Sequence, residues 1–113
     1  MPSLSGLRTN VPKLLLRPAA ETDLDELYRH IAERSGSPQT AIDYIRRIRG
    51  WCDQLETFPY AGRARDDLRP GIRILGFERR VVIVYTVLPS GDVEIGRVFY
   101  GGQNYEAILS EEE

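Results

Sequence analysis

The longest apolar run in the chain, Val81–Tyr85, reads Val-Val-Ile-Val-Tyr. β-branched and aromatic side chains favour extended backbone. Because no polar residue alternates with the apolar ones, the run predicts a strand with two apolar faces at the centre of a sheet. It is far shorter than the roughly 20 residues that cross a bilayer, so it predicts no membrane span. A strand of this kind needs neighbouring strands and a second layer of structure against it.

Further strand signals flank this run. Lys13–Arg17 is a short apolar segment that ends at Pro18, a residue without an amide hydrogen for a β-ladder. Three candidate strands follow in the second half of the chain: Ile72–Phe77, Arg79–Leu88 and Asp92–Tyr100. The segment Pro89-Ser90-Gly91 joins the last two as a hairpin turn. The sequence thus predicts one strand near the start and three in succession near the end.

Two amphipathic helices are predicted between the first strand and the others. Apolar residues recur at helical spacing in Ala19–Arg34, and Gly36 is suited to a left-handed C-cap. Ser37-Pro38 supplies the N-cap and first residue of a second helix, which is expected to run until Pro59. The apolar stripe of the second helix consists of Ala41, Ile45, Ile48, Cys52 and Leu55. The short connection predicts an antiparallel helical hairpin that covers one face of the central strand.

The order of these elements, β-α-α-β-β-β, predicts an α+β fold in which a largely antiparallel sheet packs against an N-terminal helical hairpin. The 113 residues fit a single domain, which we place at 13–110. We expect 1–12 to form a flexible leader and 111–113 a disordered acidic end. The stretch 60–70 predicts a basic loop, and 103–109 predicts a short closing helix or strap.

Cysteine and histidine each occur once, as Cys52 and His30. This leaves no disulfide within the chain, no multi-residue zinc site, no Cys-His protease and no two-histidine ribonuclease pair. We therefore expect neither a metal nor a cofactor. Cys52 is predicted to be a core residue and His30 a surface residue of the first helix. The lone cysteine and the lack of a secretory signal predict a cytoplasmic protein without membrane attachment.

Positive charge is concentrated in one part of the chain. The whole sequence has 15 basic and 17 acidic residues, but Tyr44–Arg80 contains nine arginines against five acids. Arginine suits bidentate contacts with carboxylates and phosphates. This composition is typical of a contact surface for an anionic partner, and equally typical of a solvated helix face.

Several short motifs follow one another along the chain. They are Leu16-Arg17-Pro18-Ala19-Ala20 with Asp23-Leu24, Phe58-Pro59 with Gly62-Arg63, Leu68-Arg69-Pro70-Gly71-Ile72-Arg73, Ile83-Val84-Tyr85, and Glu94 to Gly102. In this order the motifs resemble the RelE/ParE family, the toxin half of bacterial toxin–antitoxin pairs, and ParE more than RelE. The resemblance spans nearly everything from Leu14 to Leu109.

The resemblance implies two activities of different classes. ParE-like members poison DNA gyrase, which requires binding alone, whereas RelE-like members cut mRNA on the ribosome. RNA cleavage needs a proton acceptor, a stabiliser of the charged intermediate and a donor to the leaving oxygen. RelE-like toxins use Lys, Arg and Tyr for these roles, but Lys13 is the only lysine here and Gly-Gly-Gln-Asn follows Tyr100. We expect a gyrase inhibitor that is not an enzyme; the alternatives are a RelE-like mRNA endonuclease and a non-toxic binding module of the same fold.

Two interaction surfaces follow from the resemblance and from the placement of arginines and apolar residues. The target-binding candidates are Arg73, Arg79, Arg80, Arg97 and Tyr100. The antitoxin-binding candidates are Tyr28, Ile42, Tyr44, Trp51 and Phe77, with their exposed sides turned to the partner. The implied partners are a cognate ParD-like antitoxin, bound in a hetero-oligomer, and DNA gyrase. No direct sequence-specific binding of nucleic acid is expected.

Structural interpretations of the same residues stay open. Arg97 is equally well explained as a half-buried residue paired with an acid such as Glu78. Arg73, together with Arg69, would then brace the 60–70 loop. Trp51 would belong to the core.

Overall fold

A five-stranded sheet forms the centre of the protein in the computed structural model, which describes residues 12–111. The strands are β1 (Leu14–Leu16), β2 (Arg63–Ala64), β3 (Ile72–Phe77), β4 (Val81–Val87) and β5 (Val93–Tyr100). The helices are α1 (Pro18–Ser35), α2 (Pro38–Cys52), α3 (Gln54–Thr57) and α4 (Tyr105–Glu111). The strand order across the sheet is β1-β5-β4-β3-β2. β4 is therefore central, which confirms the prediction from its apolar composition.

The helical hairpin formed by α1 and α2 is also confirmed. α1 ends at Ser35 and is capped by Gly36, whose left-handed backbone (φ 69°) lets its amide donate to the Ala32 carbonyl at 2.9 Å. At the start of α2, the hydroxyl oxygen of Ser37 accepts the Thr40 amide at 3.1 Å. Both ends of the connection thus form as the local sequence predicts.

The second helix is shorter than predicted. α2 ends at Cys52, and the single turn α3 follows it before Pro59. At the break, the Asp53 amide is shared between the carbonyls of Arg49 and Gly50, both at 3.2 Å. Such bifurcated bonds tighten the last turn of a helix. The apolar stripe continues past the break, since Leu55 of α3 is fully buried.

The pairing of the strands is largely antiparallel, as predicted. β1 pairs with β5 in parallel, and the other neighbouring strands pair antiparallel. β2 lies within the 60–70 stretch that is predicted to be a loop. Its two residues pair with Arg73 and Ile74 of β3, and a strand of two residues has no periodic pattern of its own from which to predict it. The prediction of a loop is wrong for these two residues.

A β-bulge in β5 changes which of its side chains face the helices. Val84 pairs with Arg97 and Tyr85 pairs with Ile95, which leaves Gly96 without a partner on β4. Before the bulge, Val93 and Ile95 belong to the core under the hairpin; after it, Val98 does. The extra residue thus moves the apolar positions from odd to even numbers.

Two separate cores cover the two faces of the sheet. The larger lies under the α1–α2 hairpin and contains Leu24, Ile48, Phe77, Ile83 and Tyr85 among its buried residues. The smaller lies on the opposite face, where Leu109 of α4 packs with Ile72, Val84 and Phe99. α4 is the closing helix expected at 103–109, and it gives β4 the second apolar layer that its sequence requires.

The ends of the chain bear on the predicted domain limits. Residues 1–11 of the expected flexible leader and residues 112 and 113 of the expected acidic end lie outside the described residues. Glu111 is the last residue of α4. In the part of the chain that is described, no helix is both long enough and apolar enough to cross a membrane.

Candidate functional site

The turn between β3 and β4 has an unusual backbone. Glu78 and Arg79 have positive φ values of 52° and 61°, and the Arg80 amide donates to the Phe77 carbonyl at 3.1 Å. Positive φ at both central residues is the signature of a type I′ turn, in which Asn and Gly are the usual residues. The Glu78 carboxylate is bound by Arg47 of α2 at 3.0 Å. Arg47 of α2 therefore neutralises the negative charge of Glu78.

The arginines of the turn line a pocket of about 620 Å³ beside the C-terminal end of α1. We call it the basic pocket. It is lined by His30, Ile31, Arg34, Ser35, Arg79, Arg80, Tyr100 and Gly101, and none of these is acidic. Among the described residues, the side chains of Arg34, Arg79 and Arg80 make no hydrogen bond or ion pair. Three uncompensated guanidinium groups therefore meet in one concavity.

Tyr100 and His30 form the wall of the basic pocket between α1 and β5. The ring centroids are 5.4 Å apart in an edge-to-face arrangement. Tyr100 is fixed further by its backbone amide, which donates to the side-chain oxygen of Gln103 at 2.8 Å. His30 is exposed, as predicted. The sequence analysis missed the role of His30 and Arg34 in this pocket, although their i, i+4 spacing on one helix face was a signal.

Arg97 lies outside the basic pocket and pairs with an acidic residue. Its Nε and Nη2 atoms donate to the Asp23 carboxylate at 2.8 and 3.2 Å, and the guanidinium stacks 4.7 Å from the centre of the Phe99 ring. The same carboxylate accepts the Val98 amide at 2.8 Å. The half-buried pairing predicted as one alternative is thus correct, but the suggested acid, Glu78, is wrong. Asp23 of α1 lies against β5, whereas Glu78 lies at the far turn.

Arg73 braces the 60–70 loop, as the structural alternative predicts. Its guanidinium donates to the Gly62 carbonyl at 2.6 Å and stacks 4.9 Å from the centre of the Tyr60 ring. Arg69 donates to the Leu109 carbonyl of α4 at 3.0 Å. Of the five target-binding candidates, the structure therefore brings together Arg79, Arg80 and Tyr100 in the basic pocket. Arg97 lines an adjacent pocket that shares Tyr100, and Arg73 lies in neither of the two pockets.

An aromatic cluster links α2 to β3 and contains three of the antitoxin-binding candidates. The Phe77 ring lies 5.7 Å from Tyr44 and 6.1 Å from Trp51, measured between centroids. The Trp51 indole donates to the Gly76 carbonyl at 3.0 Å, yet 43% of this residue is exposed. Phe77 is buried at 6% exposure, contrary to the expectation of an exposed side. Trp51 is the member of the cluster that is open to a partner.

The other two antitoxin-binding candidates are partly buried. Tyr28 lies on α1 and Ile42 on α2, and neither belongs to the aromatic cluster. Two further aromatic residues that the sequence analysis did not single out are more exposed, Phe58 at 64% and Tyr60 at 65%. They follow α3 on the chain, where the broken helix places them outside the core.

Burial raises the pKa values of three titratable side chains of the fold. Burial raises the pKa of Tyr44, and the Glu78 carboxylate adds to this effect. Burial also raises the pKa of Tyr85, whose hydroxyl oxygen accepts the Gly62 amide at 2.8 Å. Burial raises the pKa of Cys52 to about 12, and this residue is in the core as predicted. None of these three groups is shifted towards the neutral pH that a general base requires.

The α4 helix is anchored by arginines of the 60–70 stretch. The Arg65 guanidinium contacts Glu106 and Asp67, both at 2.8 Å. Arg65 lies 3.5 Å from the Tyr105 hydroxyl as well. Arg65 and Arg69 of this stretch therefore serve internal contacts.

Comparisons with known proteins agree with the fold and the motifs. The family model described as "ParE toxin of type II toxin-antitoxin system, parDE" matches residues 14–105. "Toxin ParE1" of Mycobacterium tuberculosis is 33% identical over 88 residues, covering 78% of this chain and 88% of the relative. "Toxin ParE3" of Caulobacter vibrioides is 36% identical over 87 residues, covering 77% and 84%.

A solved structure shows the same architecture. A chain titled "Chromosomal ParDE TA system from P. aeruginosa" aligns with a TM-score of 0.70 and 25% identity, and the alignment covers 81% of this chain and 98% of that one. The family model spans β1, the helical hairpin, the sheet and the start of α4. This chain is therefore a member of the ParE family of type II toxin–antitoxin toxins.

Proposed function

We propose that this toxin inhibits DNA gyrase by binding and is not itself an enzyme. The match to the ParE family over nearly the whole described fold is the observation that carries this proposal. Burial raises the pKa values of Tyr44, Cys52 and Tyr85, so none of these three side chains is suited to act as a general base near neutral pH, which supports binding over RNA cleavage. Such binding would take place in the cytoplasm.

The basic pocket and its rim are the surface we assign to the target. Arg79, Arg80 and Tyr100 converge there, while Arg73 and Arg97 act from within the fold, as braces of a loop and of β5. An uncompensated guanidinium is ready for charge-assisted hydrogen bonds with a carboxylate or phosphate. In this proposal, Arg73 and Arg97 therefore make no direct contact with the target.

We propose in addition that a ParD-like antitoxin neutralises the toxin by covering its helical hairpin. The solved structure that resembles this chain is titled as a ParDE system, which supports such a partner. Trp51 offers an exposed indole next to the part of β3 that lies beyond its pairing with β2, and aromatic residues of this kind are typical anchors of protein interfaces. Tyr28 and Ile42 are partly exposed on the same two helices.

DNA supercoiling by purified gyrase, with a readout of trapped cleaved DNA, tests the target. We expect the full chain to inhibit supercoiling and to accumulate cleaved DNA. The variant Arg79→Ala/Arg80→Ala should lose most of this effect, whereas Arg46→Ala, an exposed arginine outside the basic pocket, should retain it. If gyrase is unaffected by the unmodified toxin, the target is a different one, and ribosome-dependent mRNA cleavage becomes the next assay.

Antitoxin binding is tested separately. Trp51→Ala should weaken the affinity for the antitoxin by about tenfold or more, because truncation of a central aromatic anchor usually costs at least 1–2 kcal/mol. Phe58→Ala removes an aromatic residue that is still more exposed and serves as the control. Equal effects of the two variants would argue against the surface centred on Trp51.

A further inference from the structure

The basic pocket contains more positive charge than the fold needs. Five arginines outside the pocket each contact a carboxylate: Arg17, Arg47, Arg49, Arg65 and Arg97. By contrast, Arg34, Arg79 and Arg80 come from two distant parts of the sequence to one pocket, and no carboxylate lines it. Three like charges at one place repel one another, so this arrangement does not stabilise the fold.

The backbone of the turn adds a second, independent observation. Arg79 has a φ of 61°, a conformation in which glycine is free of the steric cost that every other side chain carries. A strained residue that persists is an indication of a functional constraint. The turn directs Glu78 to Arg47 and leaves Arg79 and Arg80 on the pocket, so its conformation separates the acid from the two arginines.

The charge around the pocket favours an anion despite the nearby helix end. Ile31, Arg34 and Ser35 belong to the last turn and a half of α1, whose C-terminus carries roughly half a negative charge. Three guanidinium groups outweigh this partial charge several times.

The number of arginines that line the pocket favours a phosphate group over a carboxylate. A phosphate offers more acceptor oxygens than a carboxylate and engages several arginines at once. A volume of about 620 Å³ exceeds the space of one phosphate and leaves room for the sugars on either side. The pocket is open at the surface, beside the turn between β3 and β4, so a polymer can pass through it.

We propose that the basic pocket binds a backbone phosphate of DNA, independently of base sequence, through Arg34, Arg79 and Arg80. The contact shares residues with the surface proposed for the gyrase target. It is tested on DNA alone, however, so that its failure and the failure of gyrase inhibition are separate results. The phosphodiester is the ligand; the wall formed by Tyr100 and His30 limits its position from the side of β5.

Fluorescence anisotropy of a labelled short DNA duplex, titrated with the full-length toxin at several salt concentrations, tests this proposal. Arg79→Gly is the decisive variant, because glycine suits the positive φ of position 79 and the fold is retained. We expect Arg79→Gly and Arg34→Ala each to lower the affinity by about tenfold. The negative slope of log affinity against log salt concentration should become shallower by about 0.9 for each lost contact.

Arg46→Ala is the matched control, since it removes the same charge from an exposed position outside the pocket. Its affinity should remain within about twofold of the unmodified toxin. An equal loss in Arg46→Ala and Arg79→Gly would show unspecific attraction by net charge and overturn the proposal. No loss in the pocket variants would overturn it as well.

An acidic peptide is the competing ligand, and a second measurement separates it. The side-chain Nε–H resonances of Arg34, Arg79 and Arg80 are followed by NMR while the duplex, or a short Glu-rich peptide at equal charge, is added. We expect these resonances to shift at a lower concentration of DNA than of peptide. The reverse order would assign the pocket to an acidic protein segment and refute phosphate binding.

Discussion

At the scale of single residues, the positions that deviate from local rules lie at the basic pocket or next to it. Glu78 and Arg79 occupy a turn conformation that prefers Asn and Gly, and Tyr44, one helix away, has a buried hydroxyl without a hydrogen-bond partner among the described residues. Tyr44 contacts Tyr100 of the pocket wall at 6.2 Å between ring centroids. Glycine or asparagine would suit the turn better, and phenylalanine would avoid the unpartnered hydroxyl at position 44. Substitutions at these positions test each deviation.

Arg79→Gly should stabilise the protein. A residue other than glycine in the left-handed region costs roughly 1–2 kcal/mol, and part of this gain is offset by the greater backbone entropy of glycine in the unfolded chain. We expect a gain of about 1 kcal/mol in the free energy of unfolding, visible as a rise of about 4–8 °C in the midpoint of thermal unfolding. Arg80→Gly, at a residue without positive φ, should instead lower the midpoint.

Tyr44→Phe should also stabilise the protein, by about 1 kcal/mol, because it removes a buried polar atom that lacks a partner. Tyr85→Phe is the matched comparison. Its hydroxyl oxygen accepts the Gly62 amide at 2.8 Å, and its loss leaves a buried N–H unsatisfied, which costs about 1–3 kcal/mol. Denaturant unfolding of both variants measures the two effects; a loss of stability in Tyr44→Phe would indicate that its hydroxyl has a partner in solution.

At the scale of elements, Asp23 connects the helical hairpin to the sheet. Its carboxylate binds Arg97 and the Val98 amide, at a part of β5 that lies beyond its pairing with β1. An unpaired strand edge exposes amides to other chains, and a side chain that accepts from such an amide protects the edge. The bulge at Gly96 positions Arg97 and Val98 for this contact, since it ends the regular register of β5.

Asp23→Asn should therefore destabilise the fold. The asparagine side chain keeps one acceptor oxygen and turns an NH₂ group towards the guanidinium, so at least one of the three hydrogen bonds is lost in a site where the aspartate is only 11% exposed. We expect a loss of about 2 kcal/mol in denaturant unfolding. Glu21→Gln, which removes an exposed ion pair with Arg49, should cost less than about 1 kcal/mol. Equal losses of stability in the two variants would show that the Asp23 contacts contribute no more than an exposed ion pair.

At the scale of the whole molecule, the sheet separates two cores that are covered by different parts of the chain. The hairpin covers one face, and α4 covers the other through Leu109. The Arg65–Glu106 and Arg69–Leu109 contacts tie α4 to the segment before β3. The chain thus surrounds β4 with its first and its last helix.

The Cys52 thiol is buried in the larger core and reports the unfolding of that core. Burial raises its pKa from 9.0 to about 12, so the thiolate that reacts with alkylating reagents is suppressed in the folded state. Alkylation at pH 8 should therefore follow unfolding, and its rate should rise with added denaturant. Since the pKa is raised on folding, the stabilisation from this group is complete below pH 9.0 and declines as the pH rises towards 12. Rapid alkylation of the folded protein would contradict this placement.

The sequence by itself determined the elements whose signals are local. The caps at Gly36 and Ser37, the apolar stripe of α1 and the β-branched run of β4 each depend on neighbours within a few residues, and each forms as predicted. The family resemblance followed from motifs of the same kind, and the family match confirms it.

Only the tertiary structure decided which charged residues are free. Whether an arginine pairs with an acid depends on groups far away in the sequence, such as Asp23 for Arg97 and Glu78 for Arg47. For a related reason β2, the bulge at Gly96 and the basic pocket were not predictable, since each depends on how separate segments of the chain pair or pack. Local patterns specify backbone conformation, whereas the neutralisation of a charge is a property of the assembled fold.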